Sequence, residues 1–214
     1  MEETLDQISP ILPIDFFAFT CDVHEGEWKK PLKKKHTLPE FSELLFEDPF
    51  AKVLLGWNQK GLLFEISVTK PFEECFFPDF RKGDSIEFFI DTRDLKSAGF
   101  LTRFCHHFVI LPKPIDEVHA QEVTAFRSED RHEICDPEKI GVKGEFGRRS
   151  YTMQIVLPSE CLHGYDPSAF DRLGFAYRIN GVGRDPQHFA LSSEYLAIEN
   201  IPSRWASFSL VKQK

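Results

Sequence analysis

Apolar and polar residues alternate with a period of two along much of this chain, the signature of strands with one buried face. In Gly83–Pro112 the segment Asp84–Asp91 puts Ile86, Phe88 and Ile90 on one side, and Ser85, Glu87, Phe89 and Asp91 on the other. Phe104–Leu111 is apolar on both sides except at His106 and His107, which predicts a central strand. Between them, Thr92–Arg103 mixes Asp, Arg, Lys, Ser and Gly, as a surface connection should. Upstream, Lys52–Trp57 and Leu62–Thr69 form a predicted hairpin, turning at Asn58-Gln59-Lys60-Gly61. Phe16–Val23, Val118–Phe126, Ser150–Leu157, Arg172–Asn180 and Trp205–Val211 are further predicted strands.

No segment sustains a helical period. Leu38–Phe46 carries a short apolar stripe and Ser159–Leu162 suits one helical turn; Pro112 and Pro114 should end the strand before them. Gly141–Gly147 (GVKGEFG) lacks the strand-then-helix setting of a phosphate loop and is expected to be a loop or hairpin. Strands punctuated by turns predict an all-β, antiparallel, jelly-roll-like sandwich. Residues 1–15 are expected to be a lead-in, and residues 16–214 one domain.

Composition agrees. The chain has 214 residues and 22 Phe, enough aromatic mass for a thick core between sheets. A net charge of −8 argues against nucleic acid or an anionic membrane as partner, and the basic run Lys29–Lys35 is expected to be a solvated loop. The acidic N-terminus is no secretory signal, and no apolar run is long enough for a membrane helix. The five cysteines, odd in number and widely spaced, are expected to be free thiols in a reducing, cytoplasmic setting.

The polar faces of the best strands collect Glu65, Ser67, Thr69, Glu87, Gln154, Arg178 and Asn180. Carboxylate, amide and guanidinium groups on one dished sheet would suit a sugar or other polar small molecule; the alternative is an ordinary wet sheet face. Trp57, at the hairpin mouth, is either a core plug or a stacking platform, as is Trp28 in a charged loop. His106 and His107, adjacent on a strand, point to opposite sides, so with His132 and Cys135 they make a weak metal signal and no metal site is expected. Calcium is the one cofactor the acidic residues suggest, through Asp84, Asp91, Asp94, Asp166 and Asp171, but Asp91–Asp94 better suits a turn held by Asx bonds. No nucleophile elbow or P-loop is present, and nothing singles out a carboxyl pair for hydrolysis.

A hairpin ending in G-L-x-F-x-I-x-V is followed by GDSIEFFID, then Y-T-M-x-I-x-L-P, L-G-F-x-Y-x-I-N and W-A-S-F-S-L. This order resembles the family 9 carbohydrate-binding modules and the wider DOMON-like sandwiches, over roughly Phe16–Val211. The resemblance implies a non-catalytic module that binds sugar ends or polysaccharide, while some relatives bind haem. It places Glu87 at a ligand-bonding position and makes Arg103 the candidate for the arginine of the next strand. Such modules clamp sugar between two tryptophans; here the resemblance implies a clamp that is either missing or replaced by Phe80 and Tyr195. With His107, Arg178, Asn180, Glu65 and Trp57, these complete the expected ligand set. The expected function is therefore binding of a carbohydrate or other polar small molecule. The alternative is a structural or protein-interaction sandwich with no small ligand and an unknown protein partner.

Overall fold

A computed structural model describes residues 20–28, 30–189 and 197–212. The chain forms two packed sheets. The larger has seven strands in the order β1-β11-β9-β4-β5-β6, with β10 added to β9. These are β1 (Thr20–His24), β4 (Ser85–Asp91), β5 (Cys105–Ile115), β6 (Val118–Glu122), β9 (Arg172–Asn180), β10 (Gln187–His188) and β11 (Ala206–Val211). The smaller sheet runs β2-β3-β8-β7, from β2 (Ala51–Asn58), β3 (Gly61–Val68), β7 (Gly141–Phe146) and β8 (Tyr151–Pro158). A single helical turn, α1 (Ser42–Leu45), and short 3-10 turns complete it. Among the described residues no helix is long and apolar enough to cross a membrane.

The alternation predicted from sequence sets the layers. Ile86, Phe88 and Ile90 of β4 and Phe175, Tyr177 and Ile179 of β9 meet Phe64, Ile66, Met153 and Ile155 of the other sheet in one buried cluster. Phe64 stacks on Phe88 at 4.0 Å between ring centroids, and Phe175 lies 4.8 Å from Phe208. Two glycines are required by close backbone approach. Gly61, at φ 135° in the β2–β3 turn, would place a Cβ 2.0 Å from the Leu157 carbonyl oxygen. Gly83, which opens GDSIEFFID, would place one 2.5 Å from the Glu74 carbonyl oxygen; the next residue, Asp84, donates its amide to that same oxygen.

Several expectations need correction. β1 pairs with β11 in parallel, the one parallel pair among the described strands; of the strand expected at Phe16–Val23, residues 16–19 lie outside the described residues. β5 runs through Pro112 and Pro114 to Ile115 because its pairing with β6 is irregular between Ile110 and Ile115, and prolines fit such bulged edges. GVKGEFG is not a loop but the first, edge strand of a hairpin, β7 paired with β8, the second of the two expectations for it. Trp57 is 1 % exposed, and its indole donates to the Val23 carbonyl at 2.8 Å: it is a core plug, not a platform. Cys135 and Cys161 form a disulfide, leaving Cys21, Cys75 and Cys105 free. That removes the free-thiol argument for a reducing compartment.

Because Phe88 is fully buried and stacked, Phe88→Ala should leave a large cavity. We expect a loss of about 3–5 kcal/mol in equilibrium urea unfolding.

Candidate functional site

On the outer face of the larger sheet a polar cluster is built around Glu87. The register of β4, β5 and β9 explains its members. Glu87 stands directly opposite Arg178 on β9, Ser85 stands opposite Asn180, and His107 on β5 pairs with Phe89, one position along the same face. The Glu87 carboxylate has no solvent exposure. Its Oε1 accepts from Asn180 Nδ2 at 3.0 Å and faces Arg178 Nε at 3.2 Å. Its Oε2 accepts from His107 Nε2 at 2.9 Å and from Arg81 Nη2 at 2.9 Å, and Arg81 Nε reaches both oxygens. Burial alone would raise the Glu87 pKa. The His107 and Arg81 hydrogen bonds and the Arg178 charge outweigh it and hold the carboxyl at about 2.

Arg81 belongs to the 3-10 turn Phe80–Lys82, which lies over the start of β4 and is held there by a 2.7 Å bond from Ser85 Oγ to the Phe80 carbonyl. Its guanidinium also bonds Glu199 at 3.2 Å, from the turn Ile198–Asn200. Glu199 Oε2 lies 3.5 Å from Arg178 Nη2, and both are buried atoms without a hydrogen bond of good geometry. Above this pairing opens a groove of about 570 Å³, lined among others by Phe80, Arg81, His107, Arg127, Glu199 and Asn200. The Phe80 ring meets His107 edge-on at 6.3 Å. Apolar packing bounds the cluster: Phe89, Ala176, Ile198 and Trp205 form one cluster, and Val109, Leu111 and Cys75 another. Those clusters explain why β5 carries Val109 and Leu111, and β4 Phe89, on the outer face.

The structure thus brings together Glu87, His107, Arg178, Asn180 and Phe80 and leaves out the others. Arg103 pairs with Asp130 in an exposed position, because the loop before β5 carries it off the sheet face. Glu65 stands opposite Gln154 on the smaller sheet and lines a separate hollow with Trp28. Inner faces that pack together turn their outer faces to opposite sides, so the polar sets of the two sheets cannot share one floor. Tyr195 lies outside the described residues. Glu87 itself is screened by Arg81 rather than offered to a ligand. Sequence reading missed Arg81 and Glu199: the one is a charged residue shortly before a strand, the other lies in a turn well ahead of β11 and carried no signal. Of the acidic residues considered for calcium, Asp91 accepts the amides of Arg93 and Leu95, as the Asx-turn reading expected, and Asp84 those of Glu73 and Glu74.

A larger hollow, of about 830 Å³, lies near Phe46 and Lys70; of the groups lining it, Arg184 pairs with Glu73 at 3.0 Å and Glu47 with His188.

No protein-family model matches the chain, and no curated protein sequence matches it. Solved structures do. A family 9 carbohydrate-binding module from Caldicellulosiruptor kristjanssonii, in complex with cellotriose, superposes with a TM-score of 0.63 at 14 % identity, covering 91 % of this chain and 95 % of that one. Its complex with glucose gives 0.62 at 14 % identity, with 91 % and 97 % covered. A candidate carbohydrate-binding protein from Bacteroides uniformis gives 0.55 at 10 % identity, with 91 % and 100 % covered. At such identities the likeness is one of fold, and it confirms the carbohydrate-binding-module-like sandwich read from GDSIEFFID and the strands around it.

The folded-state pKa of Glu87 lies below its ordinary value of 4.5, so its contribution is complete above that value and is lost as pH falls toward 2. The shift corresponds to about 3 kcal/mol. Unfolding free energies measured from pH 6 to pH 2.5 should show Glu87→Gln less stable than the parent at pH 6, with the gap closing as pH falls. A pH-independent gap would contradict the assignment.

Proposed function

We propose that this chain is a non-catalytic module that binds a carbohydrate or similar polyol in the groove above Glu87. The observation that carries this reading is the convergence, along one open groove, of an aromatic wall, Phe80, with the charged side chains Arg81, Glu199 and Arg127. Phe80 supplies an apolar ring face, against which sugar C–H groups pack. Arg81 and Glu199 supply a donor and an acceptor at the groove floor, and Arg127 and Asn200 supply others at its side. Glu87 acts from beneath: it fixes Arg81 and His107 in place and does not itself meet the ligand. The family 9 modules with cellotriose and glucose support the ligand class through the shared sandwich.

The electrostatics support binding over hydrolysis. A glycosidase needs one carboxyl whose pKa is raised to serve as acid. Here the carboxyls of the cluster, Glu87 and Glu199, are both shifted down: burial opposes ionisation, but for Glu87 the His107 and Arg81 bonds and for Glu199 a backbone bond and the charges of Arg81 and Arg178 prevail.

Isothermal titration against gluco-, xylo- and manno-oligosaccharides, chosen from a glycan array, tests the proposal. We expect at least one to bind, Phe80→Ala to weaken it about tenfold, consistent with loss of an aromatic contact, and Arg103→Ala to leave it unchanged. Absence of any carbohydrate signal, or binding indifferent to Phe80, would favour a protein-interaction domain instead.

A further inference from the structure

β5 presents a second polar cluster on its other side. His106 points inward beside Phe108, their rings parallel within 8° at 5.6 Å. It meets Glu122 at the end of β6 and His132 from the connection that follows. The three side chains are 0 %, 0 % and 2 % exposed. One ligand atom from each lies within 4.8 Å of the other two, the one such His/Cys/Asp/Glu group among the described residues.

The hydrogen-bond inventory of this cluster does not close with neutral imidazoles. His132 Nδ1 lies 2.6 Å from the Arg103 carbonyl oxygen, which only accepts, so the ring proton belongs on Nδ1. A neutral His132 then turns the bare lone pair of Nε2 toward Glu122 Oε1, 2.8 Å away. That oxygen already accepts from the Thr124 hydroxyl at 2.7 Å and faces His106 Nδ1 at 2.8 Å, while Oε2 accepts from the Cys135 amide at 2.8 Å. His106 Nε2 makes no hydrogen bond of good geometry, and the nitrogen aimed at this centre carries the short contact of the ring. A positive charge belongs between His132 Nε2 and the carboxylate, carried either by a second ring proton or by a metal ion.

We propose that His106 Nδ1, Glu122 Oε1 and His132 Nε2 form a binding site for a zinc-class divalent ion. Two imidazoles and one carboxylate are a recurrent zinc ligand set, and the anchoring of His132 through its far nitrogen to a backbone carbonyl is the outer support that metal-bound histidines commonly have. Ligand atoms about 2.0–2.1 Å from a tetrahedral ion stand about 3.3 Å apart. The two 2.8 Å contacts to Glu122 Oε1 therefore need to open by about half an ångström, while the two imidazole nitrogens, within 4.8 Å of each other, take up the same spacing by side-chain adjustment. The ion would tie the connection carrying His132 to β5 and β6, beside the point where the Cys135–Cys161 disulfide secures the same segment to the turn Ser159–Cys161. Its role there is structural, and the site is separate from the Glu87 groove: neighbouring residues of β5 face opposite sides.

The test uses the intact, tag-free protein. Elemental analysis after dialysis against zinc should find stoichiometric metal. Chelation should lower Tm by several degrees and zinc should restore it, since a ligand bound only by the folded state stabilises it. Co²⁺ added to the stripped protein should give the visible absorption of a low-coordinate site. His132→Ala and Glu122→Gln should abolish both effects. Should those variants fail to fold, the cobalt spectrum and the chelation shift of the parent protein decide alone. A folded parent protein that holds only traces of metal, gives no cobalt band and keeps its Tm with chelator or zinc would overturn the proposal and assign the charge to a His132 imidazolium.

Discussion

An ionised carboxylate sealed from water inside a sheet face costs several kcal/mol to desolvate, and the outer surface of the larger sheet is organised around meeting that cost at Glu87. Cross-strand pairing alone supplies Arg178, Asn180 and His107, because the residues opposite and diagonal to Glu87 are fixed by register. The remaining neutralisation comes from Arg81, which the chain can deliver only by folding the turn Phe80–Lys82 over β4. Arg81 in turn holds Glu199. One buried charge thereby fixes where two surface turns sit, and the groove between them follows from that placement.

This order of causes distinguishes the molecule from a simple sheet with a wet face. The apolar clusters under Trp205 and around Leu111 flank the polar centre and exclude water from it. In such surroundings each hydrogen bond to Glu87 is electrostatically stronger than it would be in solvent, and removing any donor leaves the remaining charges more exposed to one another. The groove is accordingly a stiff feature built on the sheet rather than a gap between loose loops.

Much of the fold was legible in the sequence. The period of two in Arg172–Asn180 and Leu62–Thr69 survives intact as β9 and β3, and Gly61 sits where the hairpin demands a left-handed residue. What was not legible is instructive in physical terms. Alternation tells which residues leave the core but not to which side of the sandwich they go, so Glu65 and Glu87 looked alike and ended on opposite surfaces. Arg81 and Glu199 lie in turns without a period, and the role of Glu199 depends on contacts with Arg81 and Arg178 that no local pattern announces. The divergence of His106 and His107 was readable from strand geometry. That both are buried was not, because their partners Glu122 and Glu87 come from different neighbouring strands. Glu122 in particular carried no signal, since a carboxylate at a strand end is ordinarily a solvated one.

The back-to-back arrangement of His106 and His107 has a further result for how β4, β5 and β6 find their alignment. Sliding β5 by one residue so that His107 takes the place of His106 would turn Phe108 out toward Glu87 and leave that carboxylate without its imidazole; the opposite slide would strand Glu122 instead. Strands made only of Val, Ile and Phe on both faces tolerate such slippage cheaply. Here a slip in either direction leaves one buried carboxylate, Glu87 or Glu122, without an imidazole, so a mis-threaded sheet carries an uncompensated charge before the rest of the sandwich can close over it.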